Sequence, residues 1–531
     1  MWPCHRIVID IIVDIINSSY MEKITSFLKK NTVWPYIIFA VLILISYANA
    51  FHAPFLIDDK AGIKDNPAVG QFSSIYKYPV SAFRYLILNI SYSLGQYEPF
   101  AYRIFNILFH FGTVASLYLV AKRLINKNVA FLAGVIFAVH PLLTESVTWI
   151  SAVTYPQYAF FFMASLYFYI RASEDRKWTV ASYVFFLLAM LSSEKAVSLP
   201  PVLVFLELSQ GTLKKNWKRI IPYAVITAAM GGFLLTTVGS RIQSFQKDYY
   251  ISPQFYNPIE HIPYATTFYA QLFAFPKSLT VYHSELSISI QEFLLRWLAF
   301  IVAVVTMVMS YSKNRQIFFW ISFYFIALVP SLIPLNIVWV VAERYAYLSI
   351  VGLAVITGML LGKVLRYKSL QTASYAIVTL IVLVLMGLTI LRNVDWLSAE
   401  NLWTSTIAAS PHSSNAHNNM GDVYAQRQDY VNAAREFQRA IELQPGDADP
   451  RHNLGIALTI LRKYPEAADA YLGALQIEPT LYKTNQNLGV VYYTLKLYPE
   501  AEEYLSRALK YGPPNPAITK LLQDVRNLQG K

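Results

Sequence analysis

Two patterns of apolar and polar positions divide this chain. From Trp34 to about residue 392, long apolar runs are separated by short charged segments; after residue 392 the runs give way to a polar sequence with a strict period. Apolar runs near 20 residues satisfy their own backbone hydrogen bonds as helices and match a hydrocarbon core of about 30 Å. They fall at 34–51, 100–121, 128–142, 155–171, 178–193, 196–209, 220–239, 293–311, 316–334, 344–363 and 372–391, which predicts about eleven spans. The segment 264–276 is too short to cross and reads as re-entrant or interfacial.

The second pattern repeats every 34 residues. Gly421, Gly455 and Gly489 keep this step, as do Asn419, Asn453 and Asn487, Ala440, Ala474 and Ala508, and Pro445, Pro479 and Pro513. A helix–turn–helix unit with a small residue where its helices cross and a proline closing the second is a tetratricopeptide repeat (TPR). The fold class is therefore all-α: a polytopic transmembrane helical domain followed by a TPR α-solenoid. The expected divisions are a cytoplasmic or interfacial segment 1–33, a membrane domain 34–392, a half-repeat linker 393–413, repeats 414–447, 448–481 and 482–515, and a capping helix 516–531. Residues 1–20, interrupted by Asp10 and Asp14, are not a signal peptide; they are an extended start before Met21 or an interfacial helix.

Composition agrees with a membrane protein: 55% of residues are hydrophobic and only 14% charged, across 531 residues. The formal charge of +12 does not point to nucleic acid, because the basic residues sit in short segments between apolar runs. Lys23, Lys29 and Lys30, then Lys122, Arg123 and Lys127, then Arg171, Arg176 and Lys177 begin a series of basic clusters on alternate loops. Lys214 to Arg219, Lys313 with Arg315, and Lys363 to Lys368 complete it. Assigning them all to the cytoplasm puts the loop with Asp58 and Asp59, the turns with His140, Glu145, Glu194 and Lys195, and the segment before Glu343 and Arg344 on the outer face. An odd number of spans places the repeats there too, with the membrane lipids as the chain's surroundings and a plasma (inner) membrane as its location. The lone Cys4 excludes an internal disulfide.

These outer-face groups form a chemical inventory. A carboxylate from Asp58, Asp59 or Glu145 can take a proton from a hydroxyl nucleophile, and Arg344, Lys195, Arg84 and His140 can receive a phosphate leaving group. The plainer readings are loop charge for Asp58 and Asp59, and local ion pairs Glu194–Lys195 and Glu343–Arg344. His110, inside a span, reads as a packed core residue. No His-rich spacing supports a metal site, although oxygen ligands for a divalent ion are present, so no cofactor is expected. No nucleotide-binding glycine pattern or nucleophile elbow occurs. The repeated Asn419, Asn453 and Asn487 lie on the first helix of each unit, where their amides either grip an acceptor backbone in the groove or bridge neighbouring helices.

The acid pair after the first span, "HPLLTESV", "SSEK", "VAERYAYLSIVG" and then tetratricopeptide repeats together resemble the transmembrane-and-tetratricopeptide O-mannosyltransferases and their bacterial relatives, polytopic GT-C glycosyltransferases. That resemblance implies a GT-C-type membrane domain and a polyprenyl- or dolichyl-phosphate sugar donor. It also implies inversion at the anomeric carbon and an acidic residue of the first outer loop, Asp58 or Asp59, serving the acceptor. The function expected is transfer of a mannose-like sugar to hydroxyl groups of an exported protein held by the repeats. Two alternatives remain open: transfer to a lipid or cell-wall glycan, or a non-enzymatic membrane-anchored repeat scaffold.

Overall fold

A computed structural model describes residues 32–78, 81–248, 257–283, 289–332, 341–366 and 371–530, with side chains not described at 233–248 and at residue 371. The segment 1–31, with Asp10, Asp14, Lys23, Lys29 and Lys30, and Lys368 lie outside the described residues. Every regular element among the described residues is helical.

The membrane half runs through α1 (Trp34–Tyr47), α2 (Ser74–Lys77), α3 (Ala82–Gly95), α4 (Pro99–Leu124), α5 (Lys127–Val139), α6 (Thr144–Thr148), α7 (Thr154–Arg171), α8 (Trp178–Ser192) and α9 (Leu199–Gln210). It continues with α10 (Leu213–Asp248), α11 (Pro258–Ala274), α12 (Ile290–Lys313), α13 (Arg315–Leu328), α14 (Ile350–Val364) and α15 (Gln371–Asp395). One apolar core joins most of these helices, from Phe39 on α1 through Val114 on α4 and Phe137 on α5 to Val351 on α14.

Among the described residues three helices are long and apolar enough to cross a membrane: Pro99–Leu124, Ile290–Lys313 and Thr372–Asp395. They become four if the pair 127–139 and 141–148, bent by 56°, counts as one span. The count of about eleven is not reached, because several apolar runs fold into helices that are too short. Leu199–Gln210, with 12 residues, rises only about 18 Å at 1.5 Å per residue. Others end at sharp turns carrying the polar groups, as α5 ends at His140 and α8 at Ser193. The segment expected to be re-entrant belongs to α11, which packs into the bundle through buried Tyr269 and Leu272.

Beyond α15 come α16 (Ala399–Ala409) and three helix pairs: α17 (Ser414–Gln426) with α18 (Tyr430–Leu443), α19 (Asp449–Ile460) with α20 (Tyr464–Ile477), and α21 (Tyr482–Thr494) with α22 (Tyr498–Tyr511). The closing helix is α23 (Pro516–Leu528). The periodic glycines sit where each pair crosses. A Cβ on Gly421, Gly455 or Gly489 would come 2.5, 2.4 or 2.7 Å from Phe437, Tyr471 or Leu505. The array is seated directly on the membrane half. Ala416, Met420 and Val423 of α17 share one apolar cluster with Leu56, Trp149, Ala152, Trp396 and Trp403. The repeats therefore attach at the end of the bundle that carries the first loop.

Candidate functional site

The two adjacent aspartates of the first loop have opposite surroundings. Asp59 is 1% exposed. Its Oδ1 accepts from the Ser151 backbone N at 2.8 Å and from Ser151 Oγ at 2.5 Å, and its Oδ2 from Leu56 N at 3.2 Å. Burial pushes its carboxyl up to about 6 despite these bonds. Asp59 thus fastens the loop to the turn Ile150–Val153. Asp58 is exposed, and its carboxylate has no hydrogen bond or ion pair among the described residues. The protein around it displaces water and raises its pKa, while the charges of Arg344 and then Arg84 oppose that rise.

Two cations, Arg344 and Arg84, act on this free carboxylate, and Lys195 shares a cavity with Arg84. Arg344 lies on the turn Glu343–Ala346, where its side chain pairs with Glu145 and its backbone N donates to Glu145 Oε2 at 2.9 Å. Its guanidinium lies 5.1 Å from the Tyr345 ring centre and 5.3 Å from that of Trp149. Lys195 Nζ lies over Tyr345 at 5.1 Å and over Tyr155 at 5.9 Å. Burial lowers the Lys195 pKa, with Glu194 opposing and Arg344 adding to the fall. Arg84 has no ion pair or hydrogen bond among the described residues, and its Nε is buried. Arg84 and Lys195 line one cavity of about 160 Å³ with Ser81, Thr154, Tyr155, Ser192, Ser193 and Glu194. Glu145 neutralises Arg344, whereas Arg84 and Lys195 face the cavity with no carboxylate bound to either. Such a site suits an anionic oxygen, and Asp58 beside it suits a proton acceptor.

The other expected site residues are engaged elsewhere. His140 stacks on Phe273 at 4.6 Å; its Nε2 meets the Phe273 carbonyl at 2.9 Å and its Nδ1 accepts from Leu142 N at 3.2 Å. Both ring nitrogens are therefore occupied by backbone, which corrects its assignment to a donor phosphate. His110 is a packed core residue, with Nδ1 2.6 Å from Tyr347 OH. Glu343 does not pair with Arg344: it turns away to the Thr280 backbone N, with His283 at 3.5 Å and Arg392 at 3.6 Å.

The repeat asparagines also turn inward. Asn419 Nδ2 donates to the Asn415 carbonyl at 2.7 Å and Asn453 Nδ2 to Asn418 Oδ1 at 3.1 Å, while Asn487 bonds to Tyr471. Asn453 thus bridges neighbouring helices, as the plainer reading expects, whereas Asn419 bonds within its own helix; neither bond places an amide on an acceptor backbone. Among the described residues no group of three or more His, Cys, Asp or Glu is placed to hold a metal.

Sequence reasoning missed Ser151, Arg392 and Arg103. Arg103 is buried and donates to the carbonyls of Thr148 at 2.8 Å and of Phe51 and Ala53 at 2.9 Å, which binds the first loop to the Glu145 helix. Its signal was present, since an arginine within an apolar run needs partners. Ser151 had none.

A family model described as dolichyl-phosphate-mannose-protein mannosyltransferase matches residues 80–236, and models described as TPR repeat and tetratricopeptide repeat match 421–460 and 482–515. The first match contains Arg84, Glu145 and Lys195; Asp58 precedes it and Arg344 follows it. Protein O-mannosyl-transferase F38B6.6 of Caenorhabditis elegans is 25% identical over 420 residues, covering 72% of this chain and 59% of its own. Protein O-mannosyl-transferase TMTC3 of Homo sapiens is 23% identical over 435 residues, covering 71% and 47%. The chain spans about half the length of the curated relatives it matches. Among solved structures, the first TPR of Spaghetti (RPAP3) bound to an HSP90 peptide is 19% identical, with a TM-score of 0.22, over 22% of this chain and 94% of that one. In its mannosyltransferase-like membrane region, its tetratricopeptide repeats and its relatives, the chain resembles the transmembrane-and-tetratricopeptide O-mannosyltransferases.

Proposed function

We propose that this chain is a GT-C-type membrane glycosyltransferase, built on more crossings than the three long helices, that moves a mannose-like sugar from a polyprenyl phosphate to hydroxyl groups of exported proteins. The observation that carries this reading is the free Asp58 carboxylate set against Arg84 and Arg344, with Arg84 and Lys195 sharing a polar cavity beside it. Asp58 accepts the proton of the acceptor hydroxyl as the oxygen attacks the anomeric carbon. The sugar–phosphate bond breaks, and the leaving phosphate, whose negative charge grows in the transition state, is stabilised by Arg84, Lys195 and Arg344. Asp59 holds the loop so that Asp58 faces this group. No metal step is required, because the cations already supply positive charge to the leaving group.

The repeats, seated at the same end as Asp58, bind the acceptor or a partner on the outer face of the plasma (inner) membrane. The relatives' printed names, protein O-mannosyl-transferase, favour protein as the acceptor. The test supplies labelled polyprenyl-phosphate mannose to membranes with and without the chain and maps label on peptides by mass spectrometry. Chain-dependent O-mannose on Ser or Thr is expected. Chain-dependent label confined to lipid or glycan, or no chain-dependent label, would contradict this reading.

A further inference from the structure

The Glu145–Arg344 pair is braced from both sides by two consecutive residues of α15. Arg392 Nη2 lies 3.6 Å from Glu343 Oε2, and Glu343 is the neighbour of Arg344 on its turn. Asn393 Oδ1 accepts from Thr148 Oγ1 at 2.7 Å, and Thr148 closes the short helix that carries Glu145. Both bracing side chains are anchored. Arg392 Nη1 bonds Asp395 at 2.6 Å, while Asn393 Nδ2 donates to the Ser46 carbonyl at 2.8 Å and to Asn49 Oδ1 at 3.0 Å.

The same helix runs into the repeats. Trp396, 1% exposed, stacks on Trp149 at 6.1 Å, and the ring of Trp149 faces the Arg344 guanidinium. Trp403 stacks on Tyr282 at 5.7 Å, one residue from His283, and Ser410 Oγ donates to the Tyr282 carbonyl at 2.9 Å. The Arg392 charge held 3.6 Å from the buried Glu343, without a full hydrogen bond, makes an expensive arrangement if stability alone is the purpose. A hydrophobic contact would serve stability as well. What the charges add is direction: Glu343 is drawn toward Arg392 and Thr280 while its neighbour Arg344 is turned to Glu145.

We propose that Arg392 and Asn393 are positioning residues: they fix the two partners of the Glu145–Arg344 pair, so that the helix carrying the repeat array sets the geometry of the phosphate-binding guanidinium. This rests on the donor-site reading above. It also makes the seating of the first repeat part of the site, not a tether to it.

The test measures donor KM and kcat separately in the intact chain for Arg392→Gln, Asn393→Ala and Glu343→Gln, with Arg344→Lys in parallel. Each bracing variant should raise the donor KM by about tenfold, the scale of a modest misplacement, and Arg392→Lys should recover most of that loss. Glu343→Gln guards against simple misfolding: Arg392 keeps Asp395 as a partner, and the glutamine oxygen still accepts from Thr280 N. Bracing variants that are less stable but keep a normal donor KM, while Arg344→Lys is impaired, would overturn the positioning role alone. A normal donor KM in Arg344→Lys would overturn the donor reading and the positioning role together.

Discussion

The repeat array and the membrane half both bring helices into contact at glycines, and at Gly112 and Gly134 the membrane half also meets rings, of Phe160 and Phe39, but at two of its crossings the nearest atom belongs to the facing backbone. At Gly421, Gly455 and Gly489 an added Cβ would first meet a side chain, the ring of Phe437 or Tyr471 or the branch of Leu505. At Gly352 it would come 2.5 Å from the Trp320 carbonyl oxygen, and at Gly358 2.8 Å from that of Val129. Rings can rotate, whereas two helix backbones in contact have nowhere to go. The repeat crossings can therefore yield more than the crossings at Gly352 and Gly358, which hold their helices at a fixed separation.

Charge follows the same division. The repeats carry their ion pairs near the surface, such as Arg427–Glu400 and Arg507–Glu503. The membrane half buries Glu145, Glu343 and Arg392 almost completely. Surface pairs contribute little to stability and are easily exchanged. Buried ones must be matched in place, and here Glu145 is matched by Arg344 and Glu343 faces Arg392.

The largest effect that tests this contrast is the glycine comparison. Gly352→Ala should destabilise the membrane half by about 3 kcal/mol or more, and Gly455→Ala the array by about 1–2 kcal/mol, both read from thermal unfolding of the intact chain in detergent. Equal losses would break the contrast between yielding and unyielding contacts.

A smaller effect separates the two regions by pH. Burial, reinforced by the charge of Asp449, pushes the Asp422 carboxyl up to about 6, above its ordinary 3.8. The folded array then binds more protons than the unfolded chain between about pH 4 and 6, so the cost of burying Asp422 is complete above pH 6 and disappears near pH 4. Asp422→Asn should accordingly stabilise the array by about 1 kcal/mol at pH 7.5, seen as slower amide exchange over 414–460, with no gain near pH 4. A gain that persists at pH 4 would assign the effect to something other than charge. The smallest effect concerns Asn453: replacing it with Ala should cost about 0.5 kcal/mol of array stability through loss of the bond to Asn418, with transfer unchanged.

Legibility from sequence follows the same boundary. In the repeats each unit packs against a copy of itself, so a step of 34 residues states both the pattern and its partner. The crossing glycines were therefore readable. The membrane half offers no such internal copy. Asp58 and Asp59 look alike in sequence, and Ser151, which distinguishes them, lies 92 positions away from Asp59. In sequence the adjacent Glu343 and Arg344 leave a local ion pair open beside the donor-site reading of Arg344; a short helical turn instead sends one toward Thr280 and Arg392 and the other toward Glu145. The count of about eleven spans is not confirmed for a related reason: hydropathy marks where a helix is apolar, but polar turns at His140 and Ser193 cut α5 and α8 short. The chemical inventory was nonetheless legible, because ionisable groups are conspicuous in a charge-poor chain.

The central claim is that two adjacent aspartates do different work, and the most direct test compares Asp58→Asn with Asp59→Asn in the intact chain. Transfer from polyprenyl-phosphate mannose should be measured per folded molecule, beside thermal stability. Asp58→Asn should keep its stability and lose about two orders of magnitude or more in turnover, the scale for removing a general base. Asp59→Asn should lose stability while its folded fraction turns over at a near-normal rate. Normal turnover in Asp58→Asn, or a stable Asp59→Asn without activity, would contradict the account.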